Sequence, residues 1–219
     1  MSVLKKIRVV EFAEGVPGPL AALRLSDLGA DVIKVELPEG DWLRNAAPAL
    51  PGSEMSAAFF ELNRGKRAVV LDQTLTLSAL LKNADVFITD RTPEQLAALG
   101  VTGIYAEPYA ANPKLVRVCI SPWGDRGPLK NAKGSELAAQ AMAGYTRYLG
   151  KFGEPARRLG ADVAGTGTAM FARQAVLAAL WHRHAGGGGQ NIELSLLNSL
   201  LTLKSVHLGA QSDPDAYIG

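Results

Sequence analysis

The stretch from residue 158 to residue 170 holds the acid in this chain that is best placed to do chemistry. It runs Arg-Leu-Gly-Ala-Asp-Val-Ala-Gly-Thr-Gly-Thr-Ala-Met, and its one acid, Asp162, comes just before an apolar helical pattern. A carboxylate can act as a covalent nucleophile. At the start of a helix it can instead accept hydrogen bonds from free backbone N–H groups. Asp162 is therefore either a reactive group or a capping group for the helix predicted over residues 166–184.

The histidines and serines form no recognisable catalytic or metal-binding pattern. His182 and His184 lie two residues apart in a predicted helix and so face different directions, and no cysteine or acid cluster accompanies them or His207. A nucleophilic serine would favour a Gly-x-Ser-x-Gly turn, which the sequence lacks. We expect no metal site, and we expect solvated or capping histidines.

Two glycine-rich segments are candidates for a phosphate-binding loop. Gly186–Gly189 follow a predicted helix and precede a predicted strand, whereas a phosphate loop follows a strand and opens a helix. We expect a surface connector there. The turn from Gly15 to Pro19 has the required order, but its prolines lack N–H donors. We therefore expect this turn to form a rigid wall of a ligand site rather than a loop whose N–H groups bind phosphate.

Length and composition indicate a folded protein with a sizeable core. The 219 residues are 47% hydrophobic and 20% charged, with a formal net charge of +2 from interspersed acids and bases. Nothing in this balance favours nucleic acid or an acidic membrane as a partner. No apolar stretch reaches the roughly 18 residues of a membrane span, and the N-terminus has no apolar signal region. The single cysteine, Cys119, excludes a disulfide within the chain, so we expect a cytoplasmic protein.

The elements that must position these residues alternate between strand and helix patterns. Short β-branched or apolar runs predict strands over residues 7–12, 31–36, 68–72, 85–89, 115–120 and 190–195. Helical spacing predicts helices over residues 19–28, 75–83, 93–99, 134–148, 166–184 and 196–206. Strands that flank one helix pair in parallel through a right-handed crossover. The predicted class is α/β, with an open, mostly parallel sheet flanked by helices.

Several segments, in order and in register, resemble the class III CoA-transferase family, which includes formyl-CoA transferase, carnitine CoA-transferase and α-methylacyl-CoA racemase. The segments are Val9-Val-Glu-Phe12 with Pro17-Gly-Pro19, Leu28-Gly-Ala-Asp-Val-Ile-Lys-Val-Glu36 with Gly40-Asp41, Leu62-Asn-Arg-Gly-Lys-Arg67 with Leu71-Asp72, Ala84-Asp-Val-Phe87 with Leu99-Gly100, Asn112-Pro-Lys-Leu115, Gly124-Asp-Arg-Gly-Pro128 and Ala178-Ala-Leu-Trp-His-Arg183. Each motif alone is weak, but their joint occurrence covers essentially the whole chain.

The resemblance implies a Rossmann-like large domain with a site for CoA or an acyl-CoA at the ends of its strands. In that family an aspartate attacks the acyl-CoA carbonyl, which gives an acyl–aspartyl anhydride and then an aspartyl-CoA thioester. Family members are about twice as long, with a C-terminal segment and a separate small domain. We therefore expect residues 1–219 to be the N-terminal part of the large domain, incomplete without that C-terminal segment.

The resemblance places Gly165 where the family has its nucleophilic aspartate. Counting back from the Ala178–Leu180 helix, or forward from Leu159-Gly-Ala161, gives the same position. Asp162 lies three residues earlier, nearly one helical turn away. A misplacement of even about 1 Å can cost on the order of 100-fold in rate. The chain is therefore expected to lack the family's nucleophile.

The resemblance also implies residues that contact CoA. These candidates are the turn residues Val16 and Pro17, the cations Arg64, Lys66, Arg67 and Lys133, and the acid Glu136. Other family features are missing, because Val16 stands where a glutamine is common, Leu37 and Ala98 replace arginines, and Ser135 replaces a tyrosine.

Three hypotheses remain open from the sequence. The chain is a catalytically deficient or accessory half of a CoA-transferase, which binds a CoA thioester and associates with another copy or with a second CoA-transferase-like chain or domain. Alternatively, it is an active transferase that uses Asp162. In the third hypothesis it is a non-enzymatic CoA-binding or dimerisation module.

Overall fold

The computed structural model describes residues 2–72, 75–106, 109–148 and 153–205. Within these residues six strands form one sheet: β1 Arg8–Phe12, β2 Asp31–Glu36, β3 Arg67–Val70, β4 Val86–Thr89, β5 Val116–Ser121 and β6 Asn191–Ser195. Seven α-helices accompany them in the described part of the chain: α1 Pro17–Asp27, α2 Ala57–Asn63, α3 Leu77–Leu81, α4 Pro93–Ala98, α5 Glu136–Met142, α6 Val163–His184 and α7 Leu196–Leu203. The 3-10 turns are Trp42–Asn45 and Tyr145–Tyr148.

The strands lie in the order β3-β2-β1-β4-β5-β6, and every neighbouring pair is parallel. This is the doubly wound order, with its switch point between β1 and β4. The predicted α/β class and parallel sheet are confirmed. Because all strands run the same way, the segments that follow them meet at one carboxyl edge. Ligands of open α/β sheets bind at that edge.

Each face of the sheet is covered by its own hydrophobic cluster. On one face α1 and α6 pack against β1, β2, β4 and β5 through small and aliphatic side chains. On the other face α3, α4 and the loop that follows α4 cover β1, β2 and β4. The inward side chains of α1, α6 and the strands β1, β2, β4 and β5 are close to fully buried, as expected for a parallel sheet covered on both faces.

Several element boundaries differ from the predicted ones. The predicted helix over residues 134–148 is α5 followed by a 3-10 turn, because Gly144 takes a φ of 76° that an α-helix cannot contain. Helix α6 begins at Val163 rather than at residue 166, so Gly165 lies in its first turn. Helix α2 was not predicted. It begins where the Ser56 hydroxyl accepts a hydrogen bond from the N–H of Phe59.

The end of the predicted final helix and His207 lie outside the described residues. Among the described residues, no helix is long and apolar enough to cross a membrane.

Candidate functional site

Three segments meet at the carboxyl edge of the sheet: the turn after β1, the start of α5 and the start of α6. The first backbone N–H groups of a helix have no partner within that helix. Here the N–H of Ala164 donates to Oε1 of Glu136 at 2.9 Å, and the N–H of Gly165 donates to Oε2 at 2.8 Å. The first turn of α6 therefore binds the carboxylate of Glu136, a residue of the same chain.

Glu136 is positioned by its own helix and by Gln140 one turn later. Helix α5 is capped by Ser135, whose hydroxyl accepts a hydrogen bond from the N–H of Ala138. The buried Gln140 amide donates to Oε1 of Glu136 at 2.8 Å and to the carbonyl of Ala161 at 3.1 Å. It also accepts a hydrogen bond from the N–H of residue 159 at 3.0 Å. Helix α5 thus fixes the segment that leads into α6.

The space beside Gly165 is already filled. A Cβ atom added at Gly165 would lie 3.1 Å from Cγ1 and 3.2 Å from Cβ of Val16, and 3.6 Å from Oε2 of Glu136. The first two distances are shorter than an ordinary carbon–carbon contact of about 3.5–4.0 Å. Val16 therefore packs directly against the position that the resemblance assigns to the nucleophile.

The turn that carries Val16 is held from two sides. The N–H of Gly15, which has a φ of 68°, donates to Oδ1 of Asp41 at 3.3 Å. The indole of Trp42 covers Gly15 so closely that an added Cβ would lie 2.9 Å from Cζ2. Pro17 is at the first position of α1, where its missing N–H costs nothing. Val16 and Pro17 thus lie in a turn that is held in place on both sides, and its role as a wall for a ligand stays a prediction.

A buried network of charged side chains lies behind this turn. Lys34 is 1% exposed, and its ammonium lies 3.0 Å from Oε1 of Glu11 and 3.0 Å from Oδ2 of Asp41. Lys66 approaches the other oxygen of Glu11 at 2.7 Å. Burial by itself lowers the pKa of Lys34, but the Glu11 and Asp41 carboxylates outweigh it and raise that pKa. The network joins β1 and β2 to the segment that supports Gly15.

The structure does not bring all the predicted phosphate-binding cations to this edge. Burial lowers the pKa of Lys66, whose ammonium also donates to Asn63 and to the carbonyl of residue 19. Arg67 begins β3 at the opposite, amino edge and pairs with Asp31 at 2.6 Å. Arg64 lies near the end of α1, 3.6 Å from an oxygen of residue 27. These three cations serve contacts within the chain.

Lys133 does lie at the carboxyl edge. It lines a cavity of about 1320 Å³ between the segment around α4 and the ends of β5 and β6. Lys130 and Asp90 line the same cavity. Burial, reinforced by the neighbouring Glu14 carboxylate, raises the pKa of Asp90 to about 6, although the N–H of Glu14 donates to it. The cavity wall also contains Arg91 and the acids Glu94, Asp125 and Glu193, so the described residues that line it include three cations and four acids.

Asp162 occupies the position just before α6 but does not cap it. Its carboxylate accepts a hydrogen bond from Arg158 at 2.7 Å, its side chain is 43% exposed, and it accepts no hydrogen bond from the helix N–H groups. Glu136 makes those hydrogen bonds instead. Among the residues that the structure describes, no group of three or more histidines, cysteines or acids could hold a metal ion.

Sequence reasoning missed the residues that support the site. Glu11 and Lys34 interrupt otherwise apolar strands, and this was the available signal, since parallel strands covered on both faces are usually continuous apolar runs. Gln140 and Trp42 gave no comparable signal, because their roles depend on partners distant in the chain.

The strand order and the crowded carboxyl edge define the class of protein. This is a doubly wound, Rossmann-type α/β protein whose candidate site is built from the turn after β1 and from the first turn of a long helix.

The sequence profile of CoA-transferase family III matches residues 4–216, and the chain belongs to that family. It is 34% identical over 206 residues to a succinate–glutarate CoA-transferase of Agrobacterium fabrum, covering 89% of this chain and 51% of that protein. It is 33% identical over 213 residues to a formyl-CoA:oxalate CoA-transferase of Streptomyces avermitilis, covering 95% of this chain and 51% of that protein. The chain therefore spans about half the length of the curated relatives it matches.

Solved structures agree with this assignment. A crystal structure of a CAIB/BAIF family protein from Brucella suis superimposes with a TM-score of 0.88 at 29% identity, covering 98% of this chain and 58% of that chain. A crystal structure of Rv3272 from Mycobacterium tuberculosis gives a TM-score of 0.86 at 30% identity, covering 97% of this chain and 60% of that chain.

Proposed function

We propose that this chain is part of a class III CoA-transferase that binds a CoA thioester but does not supply the nucleophile. The observation that carries the proposal is Gly165, which has no side chain and is packed against Val16. Two relatives are named as transferases acting on succinate and glutarate or on formyl-CoA and oxalate. Transfer of CoA between carboxylic acids is therefore the reaction that we propose for the whole assembly.

The acids near Gly165 are committed to other contacts. Both oxygens of Glu136 accept backbone hydrogen bonds from the start of α6, which lowers their nucleophilicity. The carboxylate of Asp162 is paired with Arg158 and points to no helix N–H group. An acyl–aspartyl anhydride needs a free carboxylate oxygen at the thioester carbonyl. The arrangement supports a site that binds the thioester without reacting with it.

The cavity at the carboxyl edge supports the binding part of the proposal. CoA carries several phosphate charges, and Arg91, Lys130 and Lys133 are the three cations among the described residues that line the cavity, beside the acids Asp90, Glu94, Asp125 and Glu193. The wall made by Val16 and Pro17 lies at the same edge of the sheet. We assign this edge to the thioester, with Lys133 as a phosphate partner.

The nucleophile then has to come from a second CoA-transferase-like chain or domain. A second copy of this chain would carry the same Gly165 and could not supply an aspartate from that position. Association with a different chain or domain that has a carboxylate at the matching position meets this requirement.

Calorimetric titration with CoA and succinyl-CoA, followed by intact-mass measurement, tests the proposal. We expect saturable binding that weakens in Lys133→Ala and is unchanged in Lys5→Ala, whose side chain is exposed near the N-terminus. We expect no covalent adduct after incubation with succinyl-CoA. A hydroxylamine-sensitive adduct on the unmodified chain would refute the proposal, and its loss in Asp162→Ala would assign the reaction to Asp162.

A further inference from the structure

We infer that Val16 and Gly165 are a matched pair, in which Val16 closes the space that a side chain at position 165 would need. Val16 then crowds any side chain that is introduced at position 165. The steric part of this inference goes beyond the proposed function, and its catalytic part rests on that function.

The backbone does not exclude a side chain at position 165. Gly165 lies in the first turn of α6 and does not have the left-handed φ that favours glycine. An acid is electrostatically favourable in the first turn of a helix, because the N-terminus carries partial positive charge. For an uncharged side chain the obstacle is packing, since an added Cβ would meet Val16 Cγ1 at 3.1 Å and Val16 Cβ at 3.2 Å.

Val16 has little freedom to move away. Its Cγ1 could rotate, but its Cβ is fixed to the backbone and its branched side chain is stiff. The carbonyl of Val16 accepts the N–H of Leu20 at 2.9 Å in the first turn of α1. On the other side, the N–H of Gly15 is held by Asp41, and Trp42 covers Gly15. The wall is therefore anchored at both ends.

The third neighbour of the space is also fixed. Oε2 of Glu136 would lie 3.6 Å from an added Cβ, and the carboxylate is held by two backbone N–H groups and by Gln140. A carboxylate introduced at position 165 would be repelled by Glu136 as well as crowded by Val16. Val16→Ala removes the contact with Cγ1, keeps the contact with Cβ at 3.2 Å, and leaves the hydrogen bonds of α6 in place.

Two other glycines provide matched comparisons. A Cβ added at Gly160 would meet nothing within 4 Å. A Cβ added at Gly167, in the same helix, would lie 3.0 Å from Cδ1 of Leu203, the end of a flexible side chain. Gly165 therefore differs from Gly160 and Gly167, because a Cβ at position 165 would be crowded by Val16, a neighbour that is held in place.

A thermal-unfolding cycle with Val16→Ala, Gly165→Ala and the double variant tests the packing without any assay of activity. We expect Gly165→Ala to lower Tm by several degrees, and less so in the Val16→Ala background, so that the double variant is more stable than additivity predicts. Gly160→Ala should change Tm little in either background. Additive effects of the two substitutions would overturn the inference.

The catalytic part is tested by restoring a carboxylate with Gly165→Asp, alone and combined with Val16→Ala. The introduced carboxylate would attack the thioester carbonyl, the carbon–sulfur bond would break, and CoA thiolate would leave a mixed anhydride. The thiolate would then attack the aspartyl carbonyl of the anhydride, release the acyl group as a carboxylate and form an aspartyl-CoA thioester. The protein therefore gains the mass of CoA less one water.

With succinyl-CoA we expect this adduct in the double variant, and about 100-fold slower formation in Gly165→Asp alone, as for a misplaced reacting group. Gly160→Asp combined with Val16→Ala should form none. Equal rates in the single and double variants, or no adduct in a double variant that still binds CoA, would overturn the inference. An adduct on the unmodified chain would instead refute the proposed function. The packing of Val16 against position 165 would then still be tested by the thermal-unfolding cycle.

Discussion

Oε2 of Glu136 accepts a hydrogen bond from the backbone N–H of Gly165 at 2.8 Å. The other carboxylate oxygen accepts the N–H of Ala164 at 2.9 Å. Helix α6 is thus capped by a residue that lies 29 positions earlier in the chain, while Asp162, directly before the helix, makes no cap. Glu136 therefore stabilises the start of α6, whereas Asp162, which is closer in sequence, does not.

Loss of this cap should destabilise the fold. We expect Glu136→Ala to lower the free energy of unfolding by about 1–3 kcal/mol, because two buried N–H donors lose a charged acceptor. Glu136→Gln should have a smaller effect, since an amide retains one acceptor oxygen. Urea denaturation measures both changes. Glu154→Ala, at an exposed acid, is the control and should change stability by less than about 0.5 kcal/mol. Equal effects at positions 136 and 154 would contradict the capping role.

Removal of Lys34 should be more costly. The side chain of Lys34 is 1% exposed and its ammonium pairs with Glu11 and Asp41, so Lys34→Met leaves the buried Asp41 carboxylate without this ammonium and leaves Glu11 with Lys66. We expect the free energy of unfolding to fall by about 3–5 kcal/mol. Lys5→Met, at an exposed lysine, should leave it nearly unchanged. Adding Glu11→Gln to Lys34→Met should recover part of the loss, and a further additive loss would argue against a coupled network.

The Asp162–Arg158 pair should contribute little. Both side chains are substantially exposed, at 43% and 52%, and surface ion pairs are weak. We expect Asp162→Ala and Arg158→Ala each to change stability by less than about 1 kcal/mol and to leave CoA binding unchanged. Calorimetric titration of both variants checks this, and a large loss of CoA affinity in Asp162→Ala alone would show that Asp162 acts at the site.

Stability should depend on pH through Asp90. Burial raises the pKa of Asp90 from 3.8 to about 6 in the folded protein, so the folded state holds this proton more tightly than the unfolded state. This group therefore adds stability as the pH falls from about 7 toward 4, by about 2–3 kcal/mol. Asp90→Asn should flatten that part of the stability profile. Urea denaturation at several pH values measures it, and an unchanged slope in the variant would contradict the assignment.

Cys119 should react slowly with thiol reagents. Burial raises the pKa of its thiol to about 12, so the reactive thiolate is scarce at pH 8. Since it is the only cysteine in the chain, the reaction with Ellman's reagent has a single source. We expect labelling of the folded protein to be at least about 100-fold slower than labelling in urea. Similar rates in both states would show that the thiol is accessible and ionised.

Much of the framework was predictable from local patterns. The β-branched runs and helical spacings predicted an α/β protein with a parallel sheet, because these periodicities record which side of each element is buried. The family resemblance places Gly165 at the nucleophile position, and the prolines after β1 predict a rigid wall for a ligand; both stay predictions. Turn residues such as Gly144 shifted element boundaries, since its positive φ ended α5 early.

The cations show where the sequence was insufficient. Arg64, Lys66, Arg67 and Lys133 look alike as surface lysines and arginines, yet only Lys133 lies at the cavity. Lys66 is buried against Glu11, 55 positions away. A charged residue in a sequence does not reveal its partner, because ion pairs form between elements that the chain brings together only on folding.

The sequence alone determined the fold class and the absence of a side chain at position 165. Only the tertiary structure decided that Glu136 caps α6, that Val16 fills the space beside Gly165, and that Lys34 and Asp41 hold the turn behind it. Periodicity and residue type determine the secondary structure of a few neighbouring residues. The contacts above instead join residues that are 7 positions apart in the pair 34–41 and 149 positions apart in the pair 16–165, so they form only when the chain folds.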